Sequence, residues 1–468
     1  VTTGKRNEGA RLHRALAVSV GLLATALAWS PPERISHPPP GWIATEPDIA
    51  VGQDGRVHVI WTQWRGPYTP QYLHYTCRSD TWTTPVCISR DSFGLISSAI
   101  AVDAAGTIVV VWSNADDYVL RYSVPVDDTW ASPEPVLAHQ GTIPRLAADG
   151  RNQVDVLFDG LDGIWHSIYA SDEDTWATPR LVASGPASLS WQDLAIDHLN
   201  RRHAVWMDYG TYGLGYAHGD GTIWSEPVPL PDPAPSGQSC DPRIATDDSN
   251  RPHVVWEERL GGPNTIYHSV LVGDTRSTPF QVNTDGDCYS PVIRSDGHGN
   301  VHVVWRAILT GWSGLMHRFR RPDGQWSSAE TVSNMAGWPE LARSDDGLRL
   351  YLTWCTGTPE RQTYFCEETL TGAVTEQPQT SRSWSTGPVI GVGRSGLVLG
   401  FHQVRAGPVM VVVTDASGRV LSTTDFGLLP AGQQRLWLPT GGVESCGVRL
   451  VTVRACGLCQ TSKVVLIK

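Results

Sequence analysis

Residues Pro291–Trp305 read PVIRSDGHGNVHVVW: two short apolar runs, Pro291–Ile293 and Val301–Trp305, flank a polar turn rich in Asp and Gly. Two antiparallel strands joined by a tight turn take this form, because Gly and Asp tolerate the turn's backbone angles and β-branched residues suit the pleat. The phrase recurs at Pro47–Trp61, Ser98–Trp112, Pro144–Phe158, Gln192–Trp206, Pro242–Trp256 and Pro339–Trp354. The closing aromatics stand at 61, 112, 158, 206, 256, 305 and 354, with steps of 51, 46, 48, 50, 49 and 49 residues. A period this constant marks a repeat architecture.

Each repeat has a second half. A short strand carrying an aromatic or His follows, as in Leu73-His74-Tyr75, Ile164-Trp165-His166, Ile266-Tyr267-His268 and Leu315-Met316-His317. Then come Trp-x-x-Pro (Trp82, Trp130, Trp176 and Trp224 open four copies) and a last apolar strand. Four strands in about 49 residues make one propeller blade. The expected fold is all-β: a seven-bladed β-propeller over 42–384 after a Pro-rich lead-in at 29–41. The recurrent Trp residues are expected to wedge between blades. A propeller must also close, and two segments compete for that strand: Glu33–Ser36 and Ala373–Gln377.

The totals agree. Gly (46), Pro (33) and Trp (20) are plentiful in 468 residues, which favours many turns and short strands over long helices. A net charge of −11 makes nucleic acid or an anionic membrane surface an unsuitable main partner. Lys5, Arg6, Arg11 and Arg14 precede an apolar run, Ala15–Ala28, ending in Ala26-Leu27-Ala28. This pattern predicts a signal peptide at 1–28, a secreted or cell-surface protein, and no membrane span in the mature chain. Nine cysteines in an exported chain suggest disulfides. Position suggests Cys77 with Cys87, Cys355 with Cys366, and Cys240 with Cys288, while Cys446, Cys456 and Cys459 leave one over.

From about 385 the rhythm changes to alternating apolar strands, including Val409–Leu421 and Leu428–Pro439, with turns at Gly418-Arg419 and Gly432-Gln433. A small β-sandwich is expected over 385–468.

The repeats resemble the sialidase-like and bacterial-neuraminidase-repeat propellers of exported bacterial proteins over some 340 residues. The Ser/Thr-x-Asp-x-Gly-x-x-Trp box of that group is absent in complete form. The C-terminal stretch resembles the immunoglobulin-like modules of flagellar hook-capping proteins and type IX secretion sorting domains. The matching pieces are Asp415–Arg419, Pro430-Ala431-Gly432, Gly447-Val448 and Lys463–Lys468, although Arg449 stands where such modules carry an aromatic. The resemblance implies a module for sorting or surface attachment that engages secretion machinery.

In a propeller, loops entering the innermost strand and leaving the second share one rim. Asp48, Arg145, Asp193, Arg243 and Glu340 open innermost strands; Ala99 and Val292 take that place elsewhere. Trp64, Arg65, Tyr209, Glu257, Arg259 and Arg306 follow second strands, and Trp42, Phe93, Trp191, Tyr289 and Trp338 belong to entry loops. Such a rim suits binding of an extracellular glycan or protein, with aromatics stacking on sugar faces and charges reading polar groups. A monomeric, non-catalytic module is the first reading. The alternative is a sialidase-like glycoside hydrolase for acidic sugars. There Arg145, Arg243 and one of Arg65, Arg259 or Arg306 would clamp a carboxylate, and Tyr209 with Glu257 would serve as the activated pair, Asp48 standing nearby. No cofactor or metal is expected. His58, His203, His253 and His302 recur at one repeat position and read as strand residues, not ligands.

Overall fold

The computed structural model describes residues 29–370 and 389–466, except 67–68, 92–93, 128, 149–150, 186–188, 234–236, 260, 273–274, 285, 357–360, 394–395, 404–406, 416–419, 430–431, 440–446 and 456–457. The chain divides into two compact units, 1–372 and 373–468. The expected signal peptide, Phe93, Ala373–Gln377, Cys446 and Cys456 lie outside the described residues.

The first unit is a seven-bladed propeller of four-stranded antiparallel sheets. Innermost strands are Ile43–Val51 (blade 1), Leu95–Val102 (blade 2), Thr142–Ala148 (blade 3), Leu189–Ile196 (blade 4), Gln238–Thr246 (blade 5), Asp287–Ser295 (blade 6) and Gly337–Arg343 (blade 7). Each pairs with the second strand that ends its hairpin, so the recurrent phrase is the inner half of a blade.

Closure falls to the N-terminal segment. Glu33–Arg34 pairs antiparallel with Thr363–Thr369 as the fourth strand of blade 7. Around it Ser30 N donates to Glu367 O (2.7 Å), Ile35 N donates to Thr363 O (3.0 Å), and Thr363 N donates to Ser36 Oγ (2.7 Å).

The closing aromatics fill the gaps between blades. Trp61 packs with Ala342, Tyr351 and Phe365 of blade 7, and Trp112 with Ile60 and Leu73 of blade 1. Phe158, Trp206, Trp256, Trp305 and Trp354 each contact the core of the preceding blade. All seven are buried. A blade cannot cover both its faces alone, so each wedge contributes on the order of 3 kcal/mol only when its neighbour is in place.

The expected disulfides do not form. Cys77, Cys87, Cys240, Cys288, Cys355 and Cys366 all lack a disulfide bond. In the hairpin registers Cys77 lies opposite His58 and Cys87 opposite His74; Cys355 lies opposite Thr363 and Cys366 opposite Leu352. Neither pair is cross-strand. Cys240, Cys288, Cys355 and Cys366 are buried and serve as small apolar core residues.

The second unit has a three-stranded sheet (Val389–Gly393, Gly396–Gln403, Gly432–Pro439) and a four-stranded one (Gly407–Asp415, Val420–Leu429, Gly447–Ala455, Leu458–Leu466). Gly432 and Gln433 open a strand opposite Gln403 and His402, where a turn is expected from sequence. No described helix is long and apolar enough to cross a membrane.

Candidate ligand-binding site

Five inner hairpins share a defect that shapes the site. Their registers slip between Thr45 and Asp48, Thr142 and Arg145, Ser190 and Asp193, Cys240 and Arg243, and Tyr289 and Val292. At each slip one non-glycine residue takes a positive φ: Glu46 (50°), Ile143 (45°), Trp191 (53°), Asp241 (49°) and Ser290 (48°). Four of the slips contain Pro47, Pro144, Pro242 or Pro291, which has no N–H for the ladder and fits a sheet only at such a bulge. The bulge turns a side chain toward the axis. All five left-handed residues line one cavity of about 780 Å³ at the rim.

The floor of that cavity is an ion cluster built from four blades. Arg145 Nη1 meets Glu340 Oε1 at 3.1 Å, and Arg243 Nη2 meets the same oxygen at 3.2 Å. Arg243 also faces Asp241 Oδ1 at 3.6 Å. Asp48 accepts Ile49 N (2.8 Å) and, across the blade boundary, Ile100 N (2.9 Å). Burial pushes the Asp48 carboxyl up, the charge of Glu340 adds to this, and Arg145 opposes it. Burial acts the same way on Glu340, but Arg243 and Arg145 outweigh it and hold that carboxyl below its ordinary value.

The walls combine cations with rings. The Arg306 guanidinium lies 5.7 Å from both the Tyr289 and Trp338 rings, and Arg361 lies 5.4 Å from Trp338. Trp191 Nε1 donates to Tyr209 Oη at 2.6 Å, and Trp191, Tyr209 and Trp338 are all exposed at the mouth. Glu257 Oε1 accepts Arg259 Nε (2.7 Å) and Asn264 Nδ2 (2.8 Å). Burial raises Glu257 and Asp241 above the usual carboxylate range, with Arg259 and Arg243 respectively pulling them down. Enclosure by protein raises Glu46 to about 7 against the pull of Arg361, although its side chain still touches water at the mouth, which tempers the rise.

Five arginines and five carboxyl groups therefore line the cavity. Four of those carboxyls are pushed toward the protonated form, and each proton they hold makes the cavity more cationic. The Nε atoms of Arg145, Arg243 and Arg306 are buried without a hydrogen-bond acceptor. Donors of this kind are costly unless a ligand oxygen or water meets them.

The expected site residues divide. Asp48, Arg145, Trp191, Tyr209, Arg243, Glu257, Arg259, Arg306, Trp338 and Glu340 line the cavity. Asp193 does not; it faces a second axial cavity beyond the floor and accepts Ile244 N (2.9 Å) of the next blade. Trp42, Trp64 and Arg65 also lie outside. Trp42 packs at a tilt against Tyr72, Trp64 Nε1 donates to Thr45 Oγ1 (3.3 Å), and Arg65 is solvent-facing. Tyr209 and Glu257 do not pair, because each is engaged elsewhere; among the described cavity residues it is Tyr289 that donates to a carboxylate, that of Asp287. Glu46, Asp241 and Arg361 escape the sequence reading. Glu46 and Asp241 occupy the repeat position of Trp191 and Trp338, two residues before Asp48, Arg243, Asp193 and Glu340 respectively, so periodicity alone could have found them.

No family model matches the chain, and no curated protein matches it. Among solved structures, a protein of unknown function from Dyadobacter fermentans is 12% identical with TM-score 0.47, covering 73% of this chain and 99% of that one. An alpha-L-arabinanase of Penicillium chrysogenum complexed with arabinobiose is 14% identical with TM-score 0.45, over 73% and 99%. The polysaccharide lyase Uly1 is 9% identical with TM-score 0.47, over 67% and 88%. Likeness at this level does not carry an activity across.

Proposed function

We propose that the rim cavity binds an acidic carbohydrate. The observation that carries this reading is the set of three cavity arginines with buried, unbonded Nε donors, next to exposed Trp191 and Trp338. The arginines answer a sugar carboxylate through charge-assisted hydrogen bonds, and the indoles answer a pyranose face. Glu340 already lies between Arg145 and Arg243, which favours binding over an open catalytic clamp. The protein acts outside the cell, with the C-terminal unit serving in sorting or attachment.

The test is calorimetry of the full chain with sialylated and uronate oligosaccharides beside neutral ones. Acidic ligands should bind, and Trp338→Ala should weaken them by at least about tenfold. Equal affinity for neutral sugars, or none for either class, would sink the proposal.

A second reading, glycoside hydrolysis, is favoured by the Glu46 carboxyl at the cavity mouth, which enclosure shifts toward the protonated form that a general acid needs. Turnover of a fluorogenic acidic glycoside that disappears in Glu46→Gln would establish it.

A further inference from the structure

In blades 4, 5 and 6 the repeat histidine clips the turn of the inner hairpin to the third strand. His203 Nε2 bonds Asp197 Oδ2 (3.3 Å) and its Nδ1 bonds Tyr216 Oη (2.7 Å). In blade 6 the third-strand partner is a second histidine: His302 Nδ1 lies 3.0 Å from His317 Nε2. The outer nitrogens of this pair both face carboxylates. His302 Nε2 is 3.1 Å from Asp296 Oδ2, and His317 Nδ1 is 2.8 Å from Glu330 Oε1. Asp296 also takes the backbone N–H groups of His298 and Asn300 and the Asn300 side-chain amide, so it acts purely as an acceptor.

A neutral imidazole has one N–H. The outer carboxylates can only accept, which assigns each histidine's N–H outward and leaves two lone pairs facing each other across 3.0 Å. Glu368, in the third strand of blade 7, completes the group. A carboxylate oxygen of Glu368 and one ring nitrogen of each histidine all lie within 4.8 Å of one another. Glu368 is 1% exposed, and neither of its oxygens has a hydrogen-bond partner. Three buried lone-pair donors thus converge with nothing to accept them.

We propose that His302 Nδ1, His317 Nε2 and the Glu368 carboxylate hold a transition-metal dication, Zn²⁺ by ligand type, as a staple between blades 6 and 7. Donors around tetrahedral Zn²⁺ stand about 3.4 Å apart, close to the observed nitrogen separation. The outward hydrogen bonds to Asp296 and Glu330 are the carboxylate–histidine relay that orients metal-bound imidazoles.

Blade 5 supplies an internal contrast. His253 and His268 make the same 3.0 Å contact, and His253 bonds Asp247 at 3.1 Å. There, however, His268 has no described carboxylate partner and is free to donate its Nε2–H to His253. The place equivalent to Glu368, four residues before the closing Trp and across the hairpin, holds Arg320. A cation at that place rejects a metal.

The test uses the full chain stripped with chelator and then supplied with Zn²⁺ or Co²⁺. Expected are one tightly held metal per chain by elemental analysis, Co²⁺ d–d absorption of tetrahedral intensity, and a melting temperature several degrees higher with Zn²⁺. Glu368→Gln should weaken binding by at least about tenfold, whereas His268→Gln should not change stoichiometry. A wild-type chain that takes up neither ion overturns the proposal, as does a Glu368→Gln variant that binds equally well. Should Glu368→Gln fail to fold, the wild-type Co²⁺ spectrum still decides.

Discussion

Glu340 accepts two arginines on one oxygen while standing 195 and 97 residues away from them in sequence. Its side chain is only 15% exposed, so the cluster is a desolvated one in which each charge depends on the others. Glu340→Gln is expected to lower stability by on the order of 3 kcal/mol, since it leaves Arg145 and Arg243 short of a counter-ion. The same change removes an internal carboxylate that competes with an acidic ligand, so affinity for that ligand should rise about tenfold. Urea unfolding beside calorimetry reads both effects. Unchanged affinity would detach these arginines from ligand recognition. Glu46 and Asp48 should act in the same direction through pH. Both carboxyls are raised, so lowering pH toward 5.5 neutralises them and strengthens binding of a strong-acid sugar that stays ionised. An affinity that is flat with pH would contradict this.

At the scale of the element, turn and strand are joined by groups whose charge state is set by burial. Burial lowers His58 and His203 from 6.5 to about 4, against the pull of Asp54 and Asp197 respectively. The folded pKa lies below the unfolded one, so the unfolded chain takes up protons first as pH falls. The stability this confers is complete above about pH 6.5 and is lost toward pH 4, on the order of 2–3 kcal/mol for each histidine. Melting temperature should drop across that window, and His58→Gln should flatten part of the drop; a constant melting temperature would refute it. Blades 3 and 4 are joined differently. Asp155 accepts Arg202 Nε (2.8 Å) and Nη2 (3.0 Å) from the next blade and also meets His166 Nε2 at 2.5 Å, with all three side chains at or below 2% exposure. Asp155→Asn strands a buried guanidinium and should cost about 3–5 kcal/mol in denaturant unfolding.

For the whole molecule the decisive contact is closure. Deleting residues 29–36 removes the fourth strand of blade 7, the Ser30 and Ser36 hydrogen bonds and buried Ile35. A loss on the order of 5 kcal/mol and a broader thermal transition are expected, because the ring then has two unsealed faces. An unaltered melt would show that the remaining strands hold the ring alone. Blade number, the four strands and the interblade aromatics were legible in the chain, because each depends on apolar alternation and turn residues within one 49-residue period. Half of the rim was legible too, since residues such as Trp191, Trp338, Arg145 and Arg243 recur at fixed repeat positions. Other features depend on how seven rotations add up around an axis, which no local pattern records. Those features include the choice of Glu33–Arg34 as the closing strand. They also include the ion cluster in which Glu340 of blade 7 meets arginines of blades 3 and 5, and the Glu368 that blade 7 sets beside the blade 6 histidines.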